Sequence, residues 1–243
     1  MSMRAFTPSG AEPKPGGIVE LDEEESRYLL KVRRARIGEA FELFDGRGGA
    51  WSATLLTTER RARAKVGPAL SVPEPAPRVL LLGLPDQPAT IEALIGASEL
   101  GATQAVLVAC ARSQGRVPSA ARLERVLRAS QRQCGRPRPL ALVGAPPDDE
   151  PLELERALAL HDELPGVFGW LPSEHELEAP RDQADTPARG LRLLVGPEGG
   201  LTASELARVR AAGFRPVSLG PWVLRTPTAA IALLAKFASR RPT

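Results

Sequence analysis

The chain has 243 residues, 43% of them apolar and 25% charged, with a formal net charge of +3 at pH 7. Such a chain buries a real core in one large domain or two small ones and has the balance of an ordinary soluble protein. Its only cysteines, Cys110 and Cys134, cannot form a disulfide framework, and with His161 and His175 as the sole histidines no metal-ligand spacing arises, which argues against a metalloenzyme and a cysteine-histidine hydrolase.

The start "MSMRAFTPSG" has no apolar h-region, and no apolar run reaches the roughly 18 to 20 residues of a membrane span. The expected setting is therefore the cytosol, with no membrane and no metal. Residues 27–36, "RYLLKVRRAR", collect Arg27, Lys31, Arg33, Arg34 and Arg36 with no acid among them. Next come the alternating runs "GEAFELFDG" and "GAWSATLLTT", joined through "DGRGG", which read as a β-hairpin in a small β-rich module. "SVPEPAPR" (71–78) then reads as a linker.

After the linker, strands and helices alternate. Strands are expected at 78–85, 104–110, 139–143, 166–171, 191–195 and 214–220, and helices at 89–101 and 119–135. This order predicts a mostly parallel sheet covered on both faces. The helix at 119–135 places Leu123, Val126 and Leu127 on one face, with Arg122, Arg125 and Arg132 pointing elsewhere. It lies in a second basic stretch, 112–138, where Glu124 is the single acid. Arginine forks suit phosphates and bases, although a charged helix face is as often merely solvated. The polar stretch 172–190 reads as a loop that interrupts the series.

Residues 193–203, "LLVGPEGGLTA", form an apolar strand, a glycine-rich turn and a helix start. The turn has neither the Walker lysine nor G-x-G-x-x-G spacing, and Glu198 would repel a polyanion, so phosphate is a poor ligand for it. Glu198 suits hydroxyls, amines or a cation. The glycines Gly196, Gly199 and Gly200 would serve a tight turn equally well. Thr202 with Glu205 three residues on makes a capping box. "VSLGPWVLRTPTAAIALLAKFA" (217–238) repeats strand, turn and apolar helix, with Thr226 as the expected N-cap and Pro227 as the first helical residue. Two such loops at the carboxyl ends of consecutive strands can share one crevice.

The run "LLVGPEGGLTASELARVRAAGFRPVSLGPWVLRTPTAA" resembles the signature of the RsmE-type uridine-N3 methyltransferases of small-subunit ribosomal RNA, in the SPOUT superfamily. "MRAF", "KVRRARIGEAFELFDGRG", "ASELG", "RS" at 112–113 and "QCGR" at 133–136 extend the likeness over most of the chain. The resemblance implies a PUA-like β-barrel at 1–72 and a SPOUT α/β domain at 76–243 with a C-terminal trefoil knot. It further implies a homodimer, S-adenosylmethionine as cofactor, and ribosomal RNA or the small ribosomal subunit as partner.

On that pattern Gly196, Glu198 and Gly199 form one cofactor wall, and Leu219, Gly220, Leu224, Arg225 and Thr226 the other, with Leu171 beside Trp170 on a third loop. Arg225 and Glu198 are the candidates for the chemistry, Arg225 to orient a base or phosphate. Each also has a bracing role open to it, Glu198 in its own loop and Arg225 in a salt bridge or carbonyl cap. Arg4, Arg33, Arg34, Arg112, Arg132 and Arg136 are the candidates for RNA. The chain departs from the family pattern at Tyr28, Gly96 and Pro227, where a histidine, a lysine and a glutamate are usual. These departures are expected at substrate contacts, and they keep open a non-catalytic RNA-binding protein on the same fold.

Overall fold

The computed structural model describes residues 3–72, 74–147, 150–170 and 189–238. Leu171 and nearly all of the expected loop at 172–190 lie outside the described residues. The chain divides into two compact units, Met1–Glu74 with Arg128–Pro139, and Pro75–Leu127 with Leu140–Thr243.

In the first unit, β1 (Arg4–Phe6), β2 (Ile18–Glu20), β3 (Ala40–Phe44), β4 (Ala50–Leu55) and β5 (Arg63–Ala69) form a curled half-barrel sheet in the order β1-β3-β4-β5-β2. The expected hairpin is β3–β4. Asp45 starts its turn, its Oδ1 accepting from the amides of Arg47 at 2.7 Å and Gly49 at 2.8 Å. Gly46 (φ 72°) and Gly48 (φ 117°) supply the left-handed backbone that "DGRGG" promised. Phe41, Leu43, Ala53 and Leu55 point inward and build the core.

The basic run at 27–36 holds more structure than its charges reveal. Helix α1 (Glu23–Arg27) is capped by Asp22 and continues into one turn of π-helix, Tyr28–Val32. Glu25 is fully buried at its centre, accepting from the Phe6 amide at 3.1 Å and facing Arg128 Nε at 3.4 Å and Arg132 Nη2 at 3.2 Å. Burial pushes its pKa up, more than Arg132, the Phe6 amide and Arg128 pull it down. The two guanidiniums also cover rings, Arg128 over Phe6 at 4.5 Å and Arg132 over Tyr28 at 4.3 Å. Arg132, expected to point away from the core, is buried because a buried carboxylate needs a counter-charge.

The second unit is an α/β layer structure. Its strands are β6 (Arg78–Gly83), β7 (Gln104–Ala109), β8 (Ala141–Val143), β9 (Leu152–Glu153), β10 (Gly166–Trp170), β11 (Leu191–Val195) and β12 (Phe214–Ser218). All pair in parallel, in the order β12-β10-β11-β6-β7-β8, with β9 also on β7. β6 and β11 are buried at every position, so apart from the buried Arg78 and Arg192 they read as apolar runs rather than alternating ones.

Both faces are covered. Leu80 and Leu82 meet α2 (Gln87–Glu99), the first part of α3 (Ala120–Cys134) and α6 (Thr226–Lys236), while Val79 and Leu81 meet α4 (Leu154–Leu158) and α5 (Ala203–Ala211). Within α3, Leu123 and Leu127 are buried and Val126 packs against them, while Arg122 and Arg125 are exposed. Helices α2 and α6 approach so closely that a Cβ on Gly96 would sit 2.5 Å from Ile231 Cγ1. Among the described residues no helix is long and apolar enough to cross a membrane.

Candidate active site

Parallel pairing puts the carboxyl ends of β10, β11 and β12 at one edge of the sheet, and the loops that follow β11 and β12 meet there. With the end of β10 they enclose an open cleft of about 270 Å³. That is slightly below the usual ~300 to 1,000 Å³ of small-molecule sites.

The loop after β11 is "GPEGGL". Gly200, at φ 67°, donates its amide to Pro197 O at 2.8 Å and closes the turn. Gly83, at the end of β6, must be glycine for another reason: a Cβ there would lie 2.6 Å from Pro197 Cδ. The capping box of α5 forms as expected, with Thr202 Oγ1 accepting from the Glu205 amide at 3.2 Å and Glu205 Oε2 accepting from the Thr202 amide at 2.8 Å.

The same carboxylate reaches further, because Glu205 Oε1 accepts from the Ala111 amide at 2.7 Å. Next to it, Arg112 Nη1 donates to Gly199 O at 2.8 Å. Burial alone would push the Glu205 pKa up; the bonds from Ala111 and Thr202, with the charge of Arg112, hold it below the usual value.

The loop after β12 carries Leu219, Gly220 (φ 128°), Trp222, Val223 and Leu224 along the cleft. Helix α6 starts one residue earlier than expected: Arg225 is the N-cap without a side-chain bond, Thr226 is the first helical residue and Pro227 the second. Released from capping, Thr226 Oγ1 donates to Gly196 O at 3.2 Å and pins the two loops together. The third wall is Phe168, Gly169 and Trp170 on β10, where the Arg210 guanidinium lies 5.1 Å from the Trp170 ring centroid.

Of the expected cofactor residues, Gly196, Glu198, Leu219, Gly220, Leu224 and Thr226 line this cleft. Gly199 stands beside it, turned to Arg112. Leu171 lies outside the described residues. Glu198 is exposed and lines the cleft, and Arg225 is exposed at the junction of loop and helix with no side-chain partner among the described residues. The apolar rim residues Trp222 and Val223, 78% and 81% exposed, were not singled out by the sequence, since an isolated Trp-Val pair has no motif. Among the described residues that line the cleft there is one acid and no lysine or arginine.

Comparison with known proteins agrees with this geometry. The RNA methyltransferase domain family matches residues 72–238 and the RNA methyltransferase PUA domain family residues 21–66. Ribosomal RNA small subunit methyltransferase E of Mycobacterium bovis is 33% identical over 234 residues, 91% of this chain and 86% of that protein. The chain belongs to the ribosomal RNA small subunit methyltransferase E family. The Synechocystis member is 31% identical over 90% of this chain and 72% of its own length. The crystal structure of the Neisseria gonorrhoeae member, bound to S-adenosyl methionine, superposes with a TM-score of 0.78 at 27% identity, covering 97% of this chain and 96% of that one.

Of the three departures from the family pattern, Gly96 and Pro227 are buried and Tyr28 is half-buried. Tyr28 lies under Arg132, Gly96 lets α2 meet α6, and Pro227 is buried in the first turn of α6. The arginines expected to meet RNA divide as well. Arg4 is spent on Glu42 at 2.7 Å and on the carbonyls of Arg132 and Gln133, both at 3.2 Å. Arg132 is buried, Arg33 and Arg136 are half-buried, and Arg34 (φ 56°) and Arg112 are exposed.

Proposed function

We propose that the chain is an S-adenosylmethionine-dependent methyltransferase that acts on N3 of a uridine in small-subunit ribosomal RNA. The observation that carries this reading is the cleft itself, two glycine loops pinned by Thr226 on Gly196 around one carboxylate, with no basic side chain among the described residues that line it. A nucleotide phosphate favours basic groups and open helix amides, and the α5 cap takes up the Glu205 and Thr202 amides. A sulfonium with ribose hydroxyls and an adenine matches apolar walls, exposed main chain and one acid. The cofactor in the Neisseria gonorrhoeae relative supports the same assignment.

When bound, the cofactor supplies a methyl group made electrophilic by its positive sulfur. The main chain of Gly196, Leu219, Gly220, Leu224 and Thr226 would hold its nucleoside, with Leu171 and Trp170 closing the third side and Gly199 backing the loop. Glu198, which lines the cleft, would face the cation. Arg225, exposed at the cleft's edge, would orient the uracil or its phosphate so that N3, once its proton is lost, lies in line with the methyl carbon.

The same reading takes 1–72 as the RNA-binding module and 76–243 as the transferase, with the C-terminal knot, a homodimer and a cytoplasmic ribosomal substrate. Exposed Arg34 and its neighbours in the basic run would meet phosphate. Calorimetry with S-adenosylmethionine is the first test, followed by mass spectrometry of small subunits lacking base methylation. One methyl on a uridine N3 is the expected product. Tight cofactor binding with no transfer to any RNA would instead mark a non-catalytic RNA-binding protein.

A further inference from the structure

Glu205 is more than a helix cap. Glu205 is 4% exposed, and its carboxylate accepts three hydrogen bonds: from the Thr202 amide at 2.8 Å, the Thr202 hydroxyl at 2.9 Å and the Ala111 amide at 2.7 Å. The first two are local to α5. The last joins α5 to the segment after β7, 94 positions away in sequence. Arg112, the next residue of that segment, closes a second tie on Gly199 O at 2.8 Å. A Cβ on Gly199 would sit 3.0 Å from Arg112 Cβ, so the two backbones are in close contact as well.

We infer that Glu205 and Arg112 are positioning residues that clamp the glycine loop after β11 against the segment after β7 and thereby hold the cofactor wall in its binding conformation. The clamp acts through the loop, because neither side chain lines the cleft. Two donors of different kinds, a backbone amide on the start of α5 and a guanidinium on Gly199 O, add to the Thr226 tie on Gly196 O and leave the loop little freedom to open. This assigns Arg112 to the loop rather than to RNA, and it rests on the cofactor reading above.

The test uses the full chain and titrates S-adenosylmethionine. Glu205→Gln presents an NH2 group where one backbone amide needs an acceptor, and Arg112→Ala removes the exposed tie without touching the core. Each is expected to raise KM for the cofactor about tenfold with kcat changed less than about threefold, as fits loss of one charged hydrogen bond. Arg112→Lys, which keeps a donor, should restore most of the affinity. The double variant should be little worse than either single one, since both break the same clamp.

Variants that lose thermal stability while KM stays at the wild-type value overturn the inference and leave Glu205 a plain cap. Additive effects, or no rescue by lysine, overturn it too. A wild-type chain that fails to bind S-adenosylmethionine overturns the proposed function and this clamp with it, whereas normal wild-type binding with unaltered variants overturns the clamp alone.

Discussion

The loop after β11 is bonded at several points: Thr226 holds Gly196 O, Gly200 holds Pro197 O, Arg112 holds Gly199 O, and Thr202 with Glu205 fixes its exit. The loop after β12 has the same strand-turn-helix plan, yet its turn leaves Trp222, Val223 and Arg225 in solvent, and its helix starts without a side-chain cap. In the proposed function the loop after β11 is a fixed wall for the cofactor, while the loop after β12 lends main chain to the cofactor and exposed side chains to the RNA. A bonded loop keeps a fixed shape for a ligand that is always the same, and an open one presents groups to a partner that arrives and leaves.

Arg225→Ala is the severest test of that division. Its exposed side chain has no partner among the described residues, so the melting temperature should barely move while methyl transfer falls by about 10² to 10³, the range for losing one preorganised electrostatic donor. Single-turnover transfer to unmethylated small subunits measures it. A large drop in melting temperature with transfer intact would make Arg225 structural and erase the contrast. Thr226→Val comes next. It leaves Gly196 O without its buried partner at a cost of about 1 to 3 kcal/mol, and cofactor affinity should drop with it by about tenfold. Both quantities follow from one calorimetric titration and one melt.

The bonded loop was also the more legible of the two in sequence. Thr202 and Glu205 three apart announce a capping box, and the lack of lysine in "GPEGG" turns the search away from phosphate, because both are local rules. The α/β series was legible for the same reason: buried parallel strands are near-continuous apolar runs. What stayed hidden depends on distant partners. Nothing near Glu205 points to Ala111, nothing in 27–36 reveals that a buried Glu25 draws Arg132 inward, and the "TPT" start of α6 placed the cap on Thr226 when that hydroxyl serves Gly196 instead. Short strands such as β1 and β2, three residues each, carry too little pattern to be read at all.

Thr202→Ala should act on the bonded loop through stability. Losing an N-cap costs about 1 kcal/mol, or a melting temperature lower by about 2 to 4 °C for a chain of this size. The pH dependence sharpens this. The Glu205 carboxyl titrates below its ordinary value of 4.5, so its contribution is complete above that pH and fades as the pH falls through the lower folded-state value. Thr202→Ala removes part of what holds the value down, so the loss should move toward 4.5 in urea titrations run from neutral to acid pH. An unchanged acid limb would detach Glu205 from the stability of the loop.

Trp222→Ala should have the smallest effect on the fold. The side chain is 78% exposed, so folding hides only about a fifth of it, on the order of 50 Å². At ~25 cal/mol per Å² that burial stabilises by about 1 kcal/mol at most, and the compact unfolded chain already hides part of it, which brings the expected change near 0.5 kcal/mol. The same truncation strips an aromatic face from the rim of the cleft, so affinity for cofactor or RNA should suffer more than stability does. Paired melts and titrations of wild type and variant read both numbers. If Trp222→Ala destabilises the chain as much as Thr202→Ala while leaving binding alone, the apolar rim is what braces the loop after β12, and the two loops are held equally firmly by different means.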